Sequence, residues 1–267
     1  MTSPSHPGFE DAMLLEVGRL PVEVRTVAGE FCANGKRLRP RLVEAFALAH
    51  GADTDSWHRF GVAVELLHKA SLIQDDLPIM DDDEMRSGMP AVHAASSPAH
   101  ALLASDAMIG HAFRLGAESP HPAHAVTLMS DALASLCSGQ LKDLHLAGEQ
   151  ASADWSQIAD EKTGALFALA ARLGVLAAGR IDAEAHAVAQ GFGVALGRLY
   201  QLFDDVSDGD TSAPKASLAE HRDAILALVE RTPRPAALLK YVEQLKKLTE
   251  KVLGRPGATP PASPPGS

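Results

Sequence analysis

Aromatic residues make up 4% of this 267-residue chain, and no stretch sustains the two-residue alternation of β-branched and polar residues that marks a strand. The second absence argues against sheet. The first favours helices that approach one another closely through small side chains. Cysteine occurs twice, at Cys32 and Cys137, and neither has a partner at metal-ligand spacing. That usage excludes a disulfide framework and fits a reducing compartment. No apolar run reaches the roughly 18 residues a transmembrane helix needs, and no signal-peptide pattern is visible. The expected location is therefore cytoplasmic, with no integral membrane segment. Basic residues are outnumbered, 24 Lys and Arg against 34 Asp and Glu, and the resulting net charge of −10 argues against nucleic-acid binding.

What the chain does have is helical periodicity. Hydrophobic residues make up 46% of it. They recur at intervals of three and four over 39–50, 57–73, 100–113, 124–138, 160–178, 183–206, 218–230 and 235–253. Turn signals separate these stretches at Gly51–Asp55, Pro120–Pro122 and Gly209–Pro214. No linker interrupts 10–253, so the pattern predicts a single all-α domain there. The Pro-, Gly- and Ser-rich ends, 1–9 and 254–267, are expected to be disordered.

Charge is distributed less evenly than this regular pattern would suggest. The stretch DDLPIMDDDEMRSG holds six carboxylates within residues 75–84. Like charges about 6 Å apart repel by roughly 3 kcal/mol at an effective dielectric near 20. A solvated helix end is the ordinary reading of one such run. A second acidic knot, YQLFDDVSDGD, closes another long apolar stretch at 200–210. Asp204 and Asp208 are four apart and share a helix face with Gln201. In the first knot, an unbroken helix would point Asp75 and Asp81 in nearly opposite directions. Pro78 disfavours helix at Leu77, and a kink or bulge there would bring the two onto one side. Two carboxylate-rich helix ends that face each other would suit hard cations, and Mg²⁺ characteristically takes one or two carboxylates together with substrate phosphates.

The cations can be read one by one. GKRLRP sets Lys36, Arg37 and Arg39 at a helix start, where backbone N–H groups and the helix dipole add to the attraction for phosphate. Arg86 follows the first acidic knot, and arginine suits bidentate contact with phosphate. His68 lies two helical turns before Asp75. Lys162 opens a long apolar stretch, and Lys215 follows the second knot. Each alone reads as a surface charge or a packed side chain. Together they describe two anion sites, one served through metal and one directly by Lys and Arg.

These motifs resemble the trans-isoprenyl diphosphate synthases, the polyprenyl synthetases of farnesyl and geranylgeranyl type. The resemblance runs from about residue 30 to 220 and rests on GKRLRP, LLHKASLIQDDLPIMDDDEMRSGMPAVH, GQLKDL, EKTGAL and YQLFDDVSD. It implies an all-α single-domain bundle around a central cavity, normally a homodimer, using three Mg²⁺ ions per active site. Asp75, Asp81 and Asp204 would ligate the metal, with Asp76 and Asp208 in support. Arg86, Lys162, Gln201 and Lys215 would hold the allylic diphosphate, and Thr163 would face the allylic cation. Lys36, Arg39 and His68 match the pocket for isopentenyl diphosphate. In this family, bulk just before the first aspartates limits product length. The residues five and four before Asp75 are Ala70 and Ser71, both small, which implies a C20 product.

Several positions depart from the family pattern. Where it reads RRG, this chain has Arg86-Ser87-Gly88, and the absent arginine belongs to the isopentenyl diphosphate pocket. Losing one charge-assisted hydrogen bond costs about 1.5–3 kcal/mol. The stretch after His93 lacks the usual glycine, the segment between Asp208 and Lys215 is short, and the first helices look abbreviated. Two alternatives therefore stay open beside a condensing enzyme. One is a terpene synthase or cyclase that ionises an allylic diphosphate without condensation. The other is a non-catalytic partner subunit of a prenyl synthase.

Overall fold

The computed structural model describes residues 7–146, 155–207 and 217–253. Helices dominate, in the order α1 (Pro7–Val17), α2 (Val22–Cys32), α3 (Leu38–Ala49) and α4 (His58–Asp75), then α5 (Val92–Ala95), α6 (Pro98–Ala117) and α7 (Pro122–Leu146). A short α8 (Trp155–Ile158) runs through a π-helical turn (Ala159–Gly164) into α9 (Ala165–Ala177), and α10 (Ala183–Ser207), α11 (Ser217–Glu230) and α12 (Ala236–Leu253) follow. The all-α class read from the sequence is what the chain adopts. Among the described residues one small exception stands, the antiparallel pair β1 (Met85–Arg86) and β2 (Met89–Pro90). Ser87 and Gly88 join them with φ of 54° and 83°. A two-residue hairpin connection of the I′ type needs positive φ at both positions, and a strand pair this short leaves no alternation to detect.

α4 is the centre of the bundle, packed on α6, α3, α9 and α1. Its run FGVAVELLHKASLI is apolar on nearly every side, as befits a helix with neighbours all round. Phe60, Val62, Val64, Leu66, Leu67, Ala70 and Ile73 are each at most 2% exposed. α9 is built the same way and packs on α10, α3 and α7. Alanines such as Ala45, Ala47, Ala63, Ala104 and Ala168 fill many of the contacts, which is how a core poor in aromatics stays dense. Cys32 and Cys137 are unpaired, and burial pushes the Cys32 thiol up to about 12. No helix among the described residues is long and apolar enough to cross a membrane.

The amino-terminal expectation needs correcting. Residues 7–9 belong to α1, and Phe9 is 2% exposed, stacked on Trp57 with ring centroids 5.3 Å apart. Of the two expected disordered ends, 1–6 and 254–267 lie outside the described residues. Phe9→Ala should destabilise the fold by about 3 kcal/mol, read as a lower midpoint in urea unfolding. An unchanged midpoint would mean that α1 contributes nothing to the core.

Candidate active site

Pro78 acts as a stop where the sequence suggested a kink. α4 ends at Asp75, and the chain turns back on itself so that the Asp81 N–H donates to the Asp75 carbonyl at 2.9 Å and Asp82 N–H to the Leu77 carbonyl at 3.2 Å. That reversal replaces the near-opposite geometry of a straight helix. Asp75 and Asp81 both line one cavity of about 740 Å³.

The same cavity gathers residues from across the sequence. Lys36 and Arg39 reach it from the start of α3, and His68 from α4. Arg86 and Ser87 reach it from the hairpin, Lys162 and Thr163 from the π-turn, and Gln201 from α10. Asp204 lies one turn beyond Gln201 on α10. Asp208 and Lys215, also expected at the site, lie outside the described residues. Asp76 differs from its expected supporting role. It is fully buried, does not line the cavity, and accepts hydrogen bonds from Nε (2.7 Å) and Nη2 of Arg86. Adjacent residues at a helix end point about 100° apart, so Asp75 faces the cavity while Asp76 anchors the arginine that flanks it.

Electrostatics divide the cavity. Burial raises the Asp75 carboxyl from 3.8 to about 6; Lys162 opposes the shift, and the negative charge of Asp81 adds to it. Burial also raises Asp76, more than Arg86 lowers it, and the bond to Asp76 raises Arg86. His68 is held well below its ordinary value by burial and by Arg39, Lys69 and Arg86, so its imidazole is neutral near pH 7. A neutral imidazole still offers one N–H donor. Within GKRLRP the charges part company. Arg37 is bound to Glu10 (2.9 Å) and Glu65 (2.9 Å) and to the Cys32 carbonyl (2.6 Å), whereas Arg39 sits 4.4 Å from the centre of the Phe167 ring.

The π-turn is the feature sequence reasoning missed, since 160–178 reads as one regular helix. Such turns often mark functional positions. This one is clamped by charge on both sides. Lys142 binds both oxygens of Glu161 at 2.6 Å, Lys162 binds Asp143 at 2.5 Å, and Arg198 pairs with Asp160 through two bonds. It also sits unusually close to its neighbours. A Cβ on Gly139 would lie 2.4 Å from the Lys162 nitrogen, and one on Gly197 would lie 2.4 Å from the Gly164 Cα. The Thr163 hydroxyl donates to the Gln201 Oε1 at 2.9 Å, tying the turn to α10. Two further cavity residues carry functional potential that was not assigned from sequence, Lys69 and Gln140. Gln140 is 7% exposed, with Nε2 buried and, among the described residues, without a hydrogen-bond partner. Its place in GQLKDL was the available signal.

The donor set suits a hard divalent cation shared with a phosphate. Three carboxylates line the cavity; Glu65 is paired with Arg37, which leaves Asp75 and Asp81, and among the described residues no group of three acidic, histidine or cysteine side chains forms a closed metal cage. An ion held by Asp75 and Asp81 therefore has coordination positions left for substrate oxygens.

The polyprenyl synthetase family profile matches residues 22–217. The chain is 35% identical over 239 residues to the farnesyl diphosphate synthase of Escherichia coli, covering 82% of this chain and 80% of that one. It is 34% identical over 241 residues to the geranylgeranyl diphosphate synthase of Cereibacter sphaeroides, covering 86% and 78%. A crystal structure of an FPP/GFPP synthase from Zymomonas mobilis superposes with a TM-score of 0.70 at 27% identity, covering 92% and 96%.

The raised Asp75 carboxyl has a measurable consequence. Its protonated form stabilises the fold below its unfolded value near 3.8, and that stabilisation is lost as pH rises through about 6. In EDTA, Asp75→Asn should therefore gain stability over wild type as pH climbs from 4 to 7 and hold the gain above that. Urea unfolding across this range checks it, and parallel curves would remove the account of Asp75.

Proposed function

The chain belongs to the polyprenyl synthetase family, and from that premise we propose that it condenses isopentenyl diphosphate with an allylic diphosphate and releases mainly the C20 product, geranylgeranyl diphosphate. The observation that carries this reading is the meeting of Asp75, Asp81, Arg86, Lys162 and Gln201 with Lys36, Arg39 and His68 in one cavity. Two diphosphates need two anion sites. This cavity offers carboxylates for a metal-bound one and cations for a second.

Asp75 and Asp81, together with Asp204 of the second acidic motif, would hold Mg²⁺, which when bound supplies Lewis-acid stabilisation of a departing diphosphate. The chain's own groups do the rest. Arg86 and Lys162 neutralise the leaving group, and their positions are fixed by Asp76 and Asp143. Thr163 engages the carbonyl end of the Gln201 amide, which makes the NH₂ end the donor toward phosphate. As the allylic C–O bond breaks, the hydroxyl of Thr163 and the backbone carbonyl near Lys162 face the developing cation. Lys36, Arg39 and the neutral His68 hold isopentenyl diphosphate, whose C=C attacks the allylic carbon. The departing pyrophosphate takes the proton lost from the new product.

Chain length depends on which small residue faces the tail. Ser71 lines the cavity with Leu67, Ile109, Leu133 and Leu136, whereas Ala70 is fully buried and does not line it. Ser71 leaves room for a growing chain along α4, and Leu67, one turn back, is the floor. We also propose a homodimer. Leu102 and Leu103 on α6, 42% and 64% exposed, offer an apolar face for it; sedimentation at micromolar concentration should give twice the chain mass, and a monomer would end that part of the proposal.

Incubation with Mg²⁺, farnesyl or shorter allylic diphosphates and isopentenyl diphosphate should yield C20 diphosphate, and EDTA should abolish it. C15 as the sole product overturns the length assignment. Ser87, uncharged at the cavity wall, favours ionisation without condensation as a second reading. Hydrocarbon or alcohol formed without isopentenyl diphosphate would establish it. Turnover that begins when an active synthase is added would point instead to a partner subunit.

A further inference from the structure

Lys69 takes no part in the mechanism above, yet it is a cation buried at the cavity wall. It lies next to His68 on α4, lines the cavity and is 7% exposed. An ammonium carries three N–H donors. The hydrogen bond it makes within the described residues goes to the Asn34 carbonyl at 2.6 Å, and the Phe31 ring centre lies 5.2 Å from Nζ. Glu65, one turn back on the same helix, attracts it electrostatically, but Glu65 Oε1 accepts from Arg37 at 2.9 Å. Burial is the main influence that lowers the proton affinity of Lys69, and Arg37 and Arg39 add to it.

A buried ammonium with most of its donors unused is costly in a folded protein. An anion entering the cavity would relieve that cost. Ser87, on the tip of the hairpin, lines the same cavity and brings no charge. We propose that the Lys69 ammonium binds the diphosphate of isopentenyl diphosphate, beside Lys36, Arg39 and His68, and supplies the positive charge that Ser87 does not. The proposal rests on the prenyltransferase reading. A purely structural Lys69 would instead tie the α2–α3 connection to α4 through Asn34, with no preference between substrates.

The test is a two-by-two set of Lys69→Met and Ser87→Arg variants, with KM measured separately for isopentenyl and farnesyl diphosphate. Lys69→Met should raise KM for isopentenyl diphosphate by about ten- to a hundred-fold, the loss expected for one charge-assisted hydrogen bond. KM for farnesyl diphosphate should move by less than about three-fold. Ser87→Arg in the Lys69→Met background should recover most of the loss. Equal changes in both KM values, or no recovery by Ser87→Arg, overturn the proposal. Should Lys69→Met fail to fold, Lys69→Gln keeps a donor for the Asn34 carbonyl without the charge and is read the same way. Failure of both to fold makes the ammonium structural and also overturns the proposal. A wild-type protein that forms no elongated product defeats the prenyltransferase reading instead. Calorimetric titration with isopentenyl diphosphate in EDTA then decides on Lys69 alone: affinity unchanged in Lys69→Met overturns its role, and affinity reduced at least ten-fold supports it.

Discussion

Two carboxylates held near each other in a partly dehydrated cavity set the terms for everything around them. Burial is the main reason the Asp75 carboxyl sits near 6, and repulsion from Asp81 adds to it. Asp81 is exposed to water, whereas Asp75 is half-buried, and the bond from Asp81 N–H to the Asp75 carbonyl keeps the two in one turn. The unfavourable charge therefore rests mainly on Asp75, at the end of the central helix of the bundle. It is relieved from outside, by the Lys162 ammonium and by any cation the cavity admits.

That constraint explains why so many of the surrounding charges are themselves tethered. Arg86 would collapse onto Asp75 if it were free, but Asp76 and Asp83 hold it. Lys162 is restrained by Asp143, and the turn that carries it is held to α7 and α10 by Lys142–Glu161 and Arg198–Asp160. Exposed pairs of this kind contribute little to stability. Their value here is positional, since a diphosphate is gripped well only by donors already in place.

Much of this was legible in the sequence, and the limits of legibility are physical. The helices could be read because a period of 3.6 over a dozen residues is a strong signal, and the apolar runs around α4 and α9 mark them as central. The two acidic knots and GKRLRP pointed to one chemistry before any geometry was known. Other features were invisible for definable reasons. A π-turn differs from an α-turn by one residue in its hydrogen bonding, and EKTGAL contains no proline or other break to announce it. The hairpin at Met85–Pro90 is too short to alternate. Phe9 looked like part of a Pro- and Gly-rich tail, and what orders it is Trp57, distant in sequence. The proline at 78 was read correctly as a disruption, but whether a helix kinks or stops depends on what lies beyond it, here a turn that satisfies its own backbone.

Neighbouring residues of the same type also meet different fates, which no composition argument can sort. Arg37 and Arg39 lie two apart in one motif and both line the cavity, yet one is committed to Glu10 and Glu65, while the other lies over Phe167. Asp75 and Asp76 divide between cavity and core, and so do Ser71 and Ala70. On a helix, a step of one residue turns a side chain by about 100°. A motif therefore names a short window, and the packing of the helix selects the member that acts. For α4 the selection is consistent along its length: Leu67, His68, Ser71, Leu72 and Asp75 form the cavity stripe, and Leu66, Ala70 and Ile73 are given to the core. Lys69 lies at the seam between the two stripes. That position accounts for a side chain buried like a core residue whose charge nevertheless borders the cavity.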